Sequence, residues 1–214
     1  MARAGSYLGN GTNGAYLYGA QFEDGNFSTS YIPTYGTAQT RIKDECNGAG
    51  DASTFNSVEG VIFYEIKPIA LDGTYKRLTL SDSTSTNRII MGFDTNDNVT
   101  ATVYNGANQA ILGGGYAGRG SVAKYALKYK ASDFALWMNG IEVATESSGV
   151  TFPASTLNQF RFEDGNGSLE FFGNVNQVLT FNTALTDLEI ETLTSYTSWT
   201  AMVNALNLNI INNV

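Results

Sequence analysis

The chain has 214 residues, a formal net charge of −8, one cysteine and no histidine. The absence of histidine excludes imidazole metal sites and every nucleophile system that depends on a histidine base. Twelve basic residues against twenty acidic ones exclude a nucleic-acid partner, and the lack of an apolar run of about 18 residues excludes membrane insertion.

The first fifty residues are rich in Gly, Tyr and Ser and show little periodicity, so residues 1–50 are predicted to form an extended N-terminal arm. Within it, Ile32-Pro33 favours extended backbone, because Pro fixes φ and disfavours helix in the residue before it. Cys46 has no partner for an internal disulfide and is interpreted as a small buried hydrophobe. We expect the arm to lie across the following domain or across a neighbouring subunit.

Residues 51–195 contain short apolar runs at the close spacing that is typical of an antiparallel β-sandwich. Val58–Ile66 is predicted to be a core strand that ends at Lys67-Pro68. In Ser121–Lys130 the alternation of Ala, Tyr and Leu with Lys predicts a strand with one face in solvent. The run Gly113–Gly115 is interpreted as an exposed, flexible loop, since no Lys-Ser/Thr follows it to make a phosphate loop.

Two later segments carry specific local signals. Phe134–Thr145, FALWMNGIEVAT, is predicted to be a hairpin closed by a type I′ turn at Asn139-Gly140. Thr186–Glu189 matches a capping box, which predicts the start of a short helix after the last strand. Residues 196–214 are predicted to add a C-terminal helix and an edge strand. The runs Leu157–Glu163 and Ser168–Phe172 are predicted strands.

A metal site is considered at the loop Asp94–Asn98, where several side-chain oxygens lie at close spacing. Calcium binds six to eight oxygen ligands, so Asp94 and Asp97 are the first candidates to hold Ca²⁺. Loops rich in Asp and Asn are also ordinary turns, because these side chains hydrogen-bond to their own backbone. No other cofactor is expected.

Carbohydrate binding needs an aromatic platform for the apolar face of a sugar and polar side chains for its hydroxyls. Aromatic residues beside the hairpin turn and on either side of the glycine run are candidate platforms, and nearby asparagines are candidate partners. Packing inside the sandwich is the alternative for the tryptophan in particular. The candidate ligand-binding residues are Tyr104, Asn105, Asn108, Tyr116, Trp137 and Asn139.

Glycoside hydrolysis needs two carboxyl groups, about 5–5.5 Å apart for retention and farther apart for inversion. Glu59 and Glu65 share one strand face but are six residues apart, which is about 20 Å. No catalytic residue is therefore predicted, and the chain is not expected to be an enzyme. A carboxylate pair drawn from two different strands is the open alternative.

Three stretches in this order, TSYIPTYGTAQTR, FALWMNGIEVAT and FNTALTDLEIETL, carry a resemblance to a known family. They resemble the laminin G-like or concanavalin A-like jelly-roll domains of bacteriophage fibre, spike or decoration proteins, especially those of phages of Bacteroidetes-type hosts. The resemblance implies an all-β, antiparallel jelly-roll β-sandwich with an N-terminal extended arm and a short C-terminal helix. It also implies that residues 1–50 are the remnant of a preceding β-module.

The same resemblance implies a virion structural protein at the particle surface, with a lectin-like domain that binds host-surface polysaccharide or other glycans. Its partners would be other virion subunits and further copies of itself, in a homo-oligomer such as a trimer. Two alternatives stay open. One is a purely structural virion subunit without sugar binding, and the other is a glycan-cleaving hydrolase of the same fold.

Overall fold

The computed structural model describes residues 48–68, 73–116 and 122–196, together with residues 11, 12, 14, 16, 18–22, 30–40, 46, 201 and 204. The chain divides into two compact units, Met1–Lys43 and Asp44–Val214. The sequence predicts that the arm ends near residue 50. The second unit begins earlier, at Asp44, and its Ala49 pairs with Phe160 in an isolated bridge. The second unit is the sandwich.

The described part of the second unit forms two five-stranded antiparallel sheets and a short helix. The first sheet has the strand order β10-β1-β6-β7-β8 and the second has the order β5-β4-β3-β2-β9. This arrangement confirms the predicted all-β jelly-roll sandwich. The elements are β1 Glu59–Pro68, β2 Lys76–Ser81, β3 Asn87–Phe93, β4 Asn98–Asn105, β5 Asn108–Tyr116, β6 Ala123–Lys130, β7 Phe134–Met138, β8 Ile141–Glu146, β9 Gln159–Arg161, β10 Gly173–Phe181 and α1 Asp187–Ser195.

The main core lies between the two sheets, and each strand contributes alternate residues to it because strand side chains point to opposite faces in turn. In β4 the buried residues are Val99, Ala101 and Val103, and the residues between them are partly exposed. Cys46, predicted to be a small buried hydrophobe, is partly buried and packs against this core, and burial raises the pKa of its thiol.

A second apolar cluster lies on the outer face of the first sheet, under α1. It corrects the prediction for β6, whose second face was expected in solvent. Ala126 on that face is fully buried, and the Lys128 side chain is only 8% exposed. The cluster consists of Val61, Phe63, Ala126, Ala135, Trp137, Ile190 and Leu193.

The helix α1 and the hairpin turn are fixed to each other. The predicted capping box is confirmed, since the Thr186 hydroxyl accepts from the Glu189 N–H and the Glu189 carboxylate accepts from the Thr186 N–H. The predicted type I′ turn is confirmed by φ angles of 49° at Asn139 and 82° at Gly140. The Gly140 N–H donates to the Thr194 hydroxyl of α1 at 2.9 Å. The turn therefore holds the helix against the first sheet.

Three predictions of local structure differ from the structure. The loop predicted at Gly113–Gly115 is wrong, because all three residues lie in β5, and Gly113 and Gly114 pair with β4. The strand predicted over Leu157–Glu163 is limited to Gln159–Arg161, and Ser168–Phe172 is not a strand. The predicted C-terminal helix and edge strand lie almost wholly outside the described residues. In this segment Ala201 and Asn204 are described, and both are helical.

Within the described ranges, no helix has the length and apolar character that crossing a membrane requires.

Candidate ligand-binding face

The two sheets differ in what covers their outer faces, because α1 packs on the outer face of the first sheet. Because Leu78, Met91 and Val99 point into the main core, their strand neighbours point outward. Pairing of β2, β3, β4 and β5 places the outward residues in rows that cross the sheet. One row runs through Arg77, Gly92, Thr100 and Gly113, and we call it the glycine row.

Within the glycine row, Gly113 is exposed and leaves the backbone of the sheet bare beside Thr100, whereas Gly92, between Arg77 and Thr100, is buried. Arg77 stands opposite Gly92, Gly92 opposite Thr100, and Thr100 opposite Gly113. A Cβ at Gly92 would lie 1.9 Å from the Lys76 carbonyl oxygen, so the strand geometry itself requires glycine there. A Cβ at Gly113 would meet no atom within 4 Å. Glycine inside a strand marks a bulge or close approach by a ligand, and the pairing of β4 with β5 shifts register between Asn98 and Val99, beside Gly114.

Arg77 is the charged residue of this row, and its charge is offset only in part by the described residues. No hydrogen bond or ion pair of its guanidinium is found among them; the group lies over the Tyr75 ring, 4.6 Å from the ring centroid. Burial lowers the pKa of Arg77, and the charge of Arg88 lowers it further, whereas Tyr75 and Asp164 raise it. A partly desolvated cation without a partner is unfavourable unless an anion comes to it.

Arg88 and Arg161, on the same outer face, differ from Arg77 because both are engaged by the loop after β9. Arg88 donates to the Asp164 carbonyl oxygen and lies 3.9 Å from the Asp164 carboxylate. Arg161 pairs with Glu163 at 3.3 Å. The Nε atoms of both arginines are buried without a hydrogen-bond partner in the described structure. These two arginines therefore hold the loop, and Arg77 is left for another role.

The loop Glu163–Ser168 is organised by its own carboxylates. Glu163, which is 9% exposed, accepts from the N–H groups of Gly165 and Gly167. Asp164, which is 7% exposed, accepts from the N–H groups of Asn166 and Ser168. Because buried carboxylates are satisfied by fixed N–H donors, the loop forms a rigid wall beside Arg77.

Leu169, which follows this wall, has a φ of 57°, a left-handed conformation that is uncommon for a bulky residue. Its carbonyl oxygen accepts from the Arg77 N–H at 3.2 Å. The Leu169 side chain is 38% exposed, as is that of Tyr75. Backbone strain of this kind clusters at binding sites, where the surrounding structure maintains it. The Arg77 side chain thus lies over the Tyr75 ring, and the Arg77 backbone is tied to Leu169.

Three of the predicted ligand-binding residues lie at the other end of the same sheet. Tyr104 points outward from β4, four residues or about 13 Å from Thr100, and its ring lies 6.0 Å from the Arg88 guanidinium. Asn108 is exposed opposite Tyr104. Asn105 holds the fold, since its amide donates to the Thr151 carbonyl oxygen at 2.8 Å.

Trp137 and Asn139 are not brought to this face. Trp137 belongs to the cluster under α1 and is 6% exposed, so the predicted aromatic platform is corrected to a packing residue. Its ring is needed there to fill the space beneath the helix. The Asn139 side chain accepts from the Lys124 N–H at 3.0 Å and so closes the hairpin of the first sheet. Tyr116 ends β5, but its side chain is outside the described part of the structure.

The residues proposed for calcium are used by their own turn. The Asp94 carboxylate accepts from the N–H groups of Asn96 and Asn98 at 2.8 and 2.9 Å. Burial raises the pKa of Asp94, but these hydrogen bonds outweigh it and lower the value overall. Asp97 has a φ of 61°, and its Oδ1 is buried without a described partner. No group of three or more acidic or cysteine ligands close enough for a metal ion occurs in the described ranges. The loop fits a structural turn better than a cation site.

Sequence reasoning missed Arg77, Thr100 and Gly113 as site residues. A lone Arg in an alternating strand resembles any solvent-facing charge, and only strand pairing places it in one row with two glycines. One signal was present, because Gly113 follows the apolar run Ala110 to Leu112 without a turn residue between them.

The comparisons with known proteins concern the fold. No protein-family model matches the chain, and no curated protein matches its sequence. A solved structure of the Ruminococcus gnavus IT-sialidase CBM40 bound to α2,3-sialyllactose is similar, with 18% identity and a TM-score of 0.59, over 72% of this chain and 95% of that one.

Two further structures share the fold. The native heptameric SAP-like pentraxin from Limulus polyphemus has 13% identity and a TM-score of 0.55 over 72% of this chain and 76% of that chain. The leech intramolecular trans-sialidase complexed with 2,7-anhydro-Neu5Ac has 17% identity and a TM-score of 0.56, and the match covers 72% of this chain and only 27% of the trans-sialidase. At these identities the likeness establishes a common β-sandwich fold.

Proposed function

We propose that the chain is a lectin-like subunit whose glycine row, with Arg77 at one end, binds a glycan that carries a carboxylate. The observation that carries this proposal is the partly buried Arg77 guanidinium, which has no hydrogen bond or ion pair among the described residues. The neighbouring arginines, Arg88 and Arg161, both have carboxylate partners. Arg77 thus has an unused capacity for an anion in a chain that is itself negatively charged.

The surroundings of Arg77 suit a sugar better than a bare ion. A guanidinium can donate two parallel hydrogen bonds to one carboxylate, which fixes its orientation. The bare backbone at Gly113 gives a pyranose ring space against the sheet, and the Thr100 hydroxyl can donate to or accept from a sugar hydroxyl. The exposed Tyr75 ring supplies an apolar surface beside the cation.

The fold comparison supports this proposal and selects the first ligand to test. The Ruminococcus gnavus module was solved with α2,3-sialyllactose, a sugar with a carboxylate. Sialyllactose is therefore the acidic ligand of choice, and lactose is the matched neutral control. Because the face is shallow and open and offers few polar contacts, we expect it to bind sialyllactose with a Kd of about 1 mM, a binding free energy of about −4 kcal/mol.

The first experiment compares binding of sialyllactose and lactose to the wild-type protein and to Arg77→Ala. Loss of a charge-assisted hydrogen-bond pair of about 1.5–3 kcal/mol should weaken sialyllactose binding by roughly 10- to 150-fold. Arg77→Lys should recover part of the affinity, since it keeps the charge but loses the fork. Lys130→Ala, which removes an exposed cation of the first sheet, should have no effect.

The outcomes separate this proposal from the two alternatives. Equal binding of sialyllactose and lactose, or wild-type affinity in Arg77→Ala, would contradict an acidic-sugar site. If a glycan array at millimolar sensitivity detects no sugar, the purely structural subunit is favoured. If reducing ends are released from a host polysaccharide and a single Asp or Glu replacement stops the release, the chain is a hydrolase.

A second experiment blocks the glycine row without touching a charge. Gly113→Val places a branched side chain where no atom lies within 4 Å, and valine favours strand structure. The free energy of unfolding should stay the same or rise by a few tenths of a kcal/mol, whereas sialyllactose binding should fall at least tenfold. Binding that survives in a stably folded Gly113→Val protein would place the sugar elsewhere.

The proposed biological setting is the surface of a bacteriophage particle, where the chain would serve as a fibre, spike or decoration subunit. Three motifs in a fixed order support it, from TSYIPTYGTAQTR in the arm to FNTALTDLEIETL before and within α1. Cryo-EM of the intact particle that carries the chain tests this setting. The expected result is density for the sandwich at the particle surface. Absence of the protein from purified particles would contradict this setting.

A further inference from the structure

The outer face of the second sheet is covered over β2 and β3 and open over β4 and β5. On β2 the outward residues Thr79 and Ser81 are fully buried, and on β3 the outward residue Ile90 is 6% exposed. The loop Glu163–Ser168 packs on this half of the face, since the Thr79 hydroxyl donates to the Glu163 carbonyl oxygen. The loop therefore forms a step between a covered half and an open half of the face.

The open half has three rows, each made of one outward residue of β4 and the residue of β5 that pairs with it. Because every second residue of a strand points outward, successive rows are about 6–7 Å apart. The β4 member of each row is partly exposed and the β5 member is exposed. We call this surface the open strip, and its rows are Thr100 with Gly113, Thr102 with Ile111, and Tyr104 with Asn108.

The row of Tyr104 and Asn108 has the two kinds of group that bind a neutral sugar, an aromatic ring and an amide. The Arg88 guanidinium lies over one face of the Tyr104 ring, so a sugar can stack on the opposite face. The pairing of β4 with β5 shifts register beside Tyr104, which brings Asn108 opposite the ring in place of Gln109. Gln109 serves the fold, since its Oε1 accepts from the Val150 N–H at 3.1 Å. The Asn108 amide has no hydrogen bond to the described residues.

The two ends of the open strip differ in charge. At one end Arg77 lies in the glycine row, and its guanidinium has no hydrogen bond or ion pair among the described residues. At the other end Arg88 donates to the Asp164 carbonyl oxygen and lies 3.9 Å from the Asp164 carboxylate. The first end therefore suits a sugar carboxylate and the second a neutral sugar. Between them, Ile111 is 65% exposed beside the Thr102 hydroxyl, so the middle row offers an apolar contact and a polar one.

We propose that the open strip binds a linear oligosaccharide with one sugar over each row, the acidic sugar beside Arg77 and a neutral sugar stacked on Tyr104. This inference rests on the proposed function, because it extends the same site along β4. The strip runs from Thr100 to Tyr104, four residues or about 13 Å, so a single sugar ring cannot contact both ends. The ligand class is therefore an acidic glycan of at least three sugars that lies along the strand.

The experiment compares the binding of sialic acid and of sialyllactose to the full-length chain by NMR titration. Sialyllactose carries its sialic acid on lactose, so the two ligands differ by two neutral sugars. Wild type should bind sialyllactose roughly tenfold more tightly than sialic acid. Tyr104→Ala should weaken sialyllactose binding by roughly 3- to 10-fold and change sialic acid binding by less than about twofold. Asn108→Ala should weaken sialyllactose binding alone, by roughly threefold.

Three further variants make the test specific. Tyr104→Phe keeps the ring and should recover most of the sialyllactose affinity that Tyr104→Ala loses. Asn174→Ala, which changes an exposed asparagine of β10 in the first sheet, should bind both ligands like wild type. Arg77→Ala should weaken both ligands by the same factor, because both carry the carboxylate.

The outcomes separate the extended site from the proposed function. Equal affinity of wild type for the two ligands, or an equal loss of both in Tyr104→Ala, would overturn the extended site and leave the acidic-sugar site at Arg77 standing. If neither ligand binds wild type, or if Arg77→Ala binds both like wild type, the proposed function fails and the extended site fails with it.

Discussion

The two outer faces of the sandwich differ in what covers them, and that difference separates stability from binding. On the first sheet, α1 packs on Val61, Ala126 and Trp137, so β1 and β6 are buried on both faces. On the second sheet, the corresponding face has Arg77, Thr100 and Tyr104 partly exposed, together with the exposed Gly113. An aromatic residue of the first face therefore supports the fold, whereas a cation of the second is available to a ligand.

The largest effect on stability should come from the covered face. Trp137→Ala leaves a cavity under α1 and should lower the free energy of unfolding by about 3–5 kcal/mol, while sialyllactose affinity per folded molecule stays within twofold. Thermal unfolding and a binding titration check both. Tyr104→Ala, the matched aromatic on the bare face, should cost about 1 kcal/mol or less. If the two variants lose equal stability, the distinction between the faces fails.

A smaller effect should come from the ion pairs that attach the start of α1 to β6. Lys128 Nζ lies 2.8 Å from both Asp133 and Asp187, and the lysine side chain is 8% exposed. Asp133→Asn/Asp187→Asn leaves this cation without an anionic partner and should cost roughly 1–3 kcal/mol. Glu59→Gln, which removes the partner of the more exposed Lys130, should cost less than about 1 kcal/mol.

The pH dependence of that network has a definite sign. Burial lowers the pKa of Lys128, but hydrogen bonds to Asp133 and Asp187 outweigh it and raise the value overall. A raised folded-state pKa stabilises the fold below the unfolded value of about 10.5, and this stabilisation is lost as the pH rises through the folded value. Unfolding titrations above pH 10 should thus show a steeper loss for wild type than for the double variant. Parallel curves would contradict the pairing.

The smallest effect on the covered face should come from the helix cap. Thr186→Ala removes a side chain that accepts from the Glu189 N–H and should lower the free energy of unfolding by about 1 kcal/mol. Thr183, an exposed residue three positions earlier, provides the control, and Thr183→Ala should stay within about 0.5 kcal/mol. Chemical denaturation resolves the difference. Equal values for both variants would mean that the cap does not help to hold α1 on the sheet.

Local sequence patterns were sufficient for the fold but not for the site. The Asn139-Gly140 turn and the Thr186 capping box depend on neighbours in sequence, and both are present as predicted. In β4 the alternation of Val and Ala with Thr coincides with the alternation of buried and partly exposed residues. Each of these features is set within about ten residues, where propensity and periodicity are informative.

What the sequence did not reveal depends on contacts between distant segments. Lys128 and Ala126 alternate with core residues as in a solvent-facing strand, and only the packing of α1 buries them. Trp137 fits a platform or a core residue equally well until the helix is placed. Arg77 becomes a candidate site residue only because strand pairing brings Gly113, 36 positions later in the chain, into its row. Such register is invisible to periodicity.

The most direct measurement is an amide chemical-shift map of the protein during titration with sialyllactose, with lactose as the control. We expect sialyllactose to shift the amide signals of Arg77, Thr100, Gly113 and the Glu163–Leu169 segment in a saturable way, and lactose to do so far less. Residues of the covered face, such as Ala126 and Gly140, should not move. Shifts confined to the covered face or the Asn139 turn, or no saturable shifts at all, would contradict it.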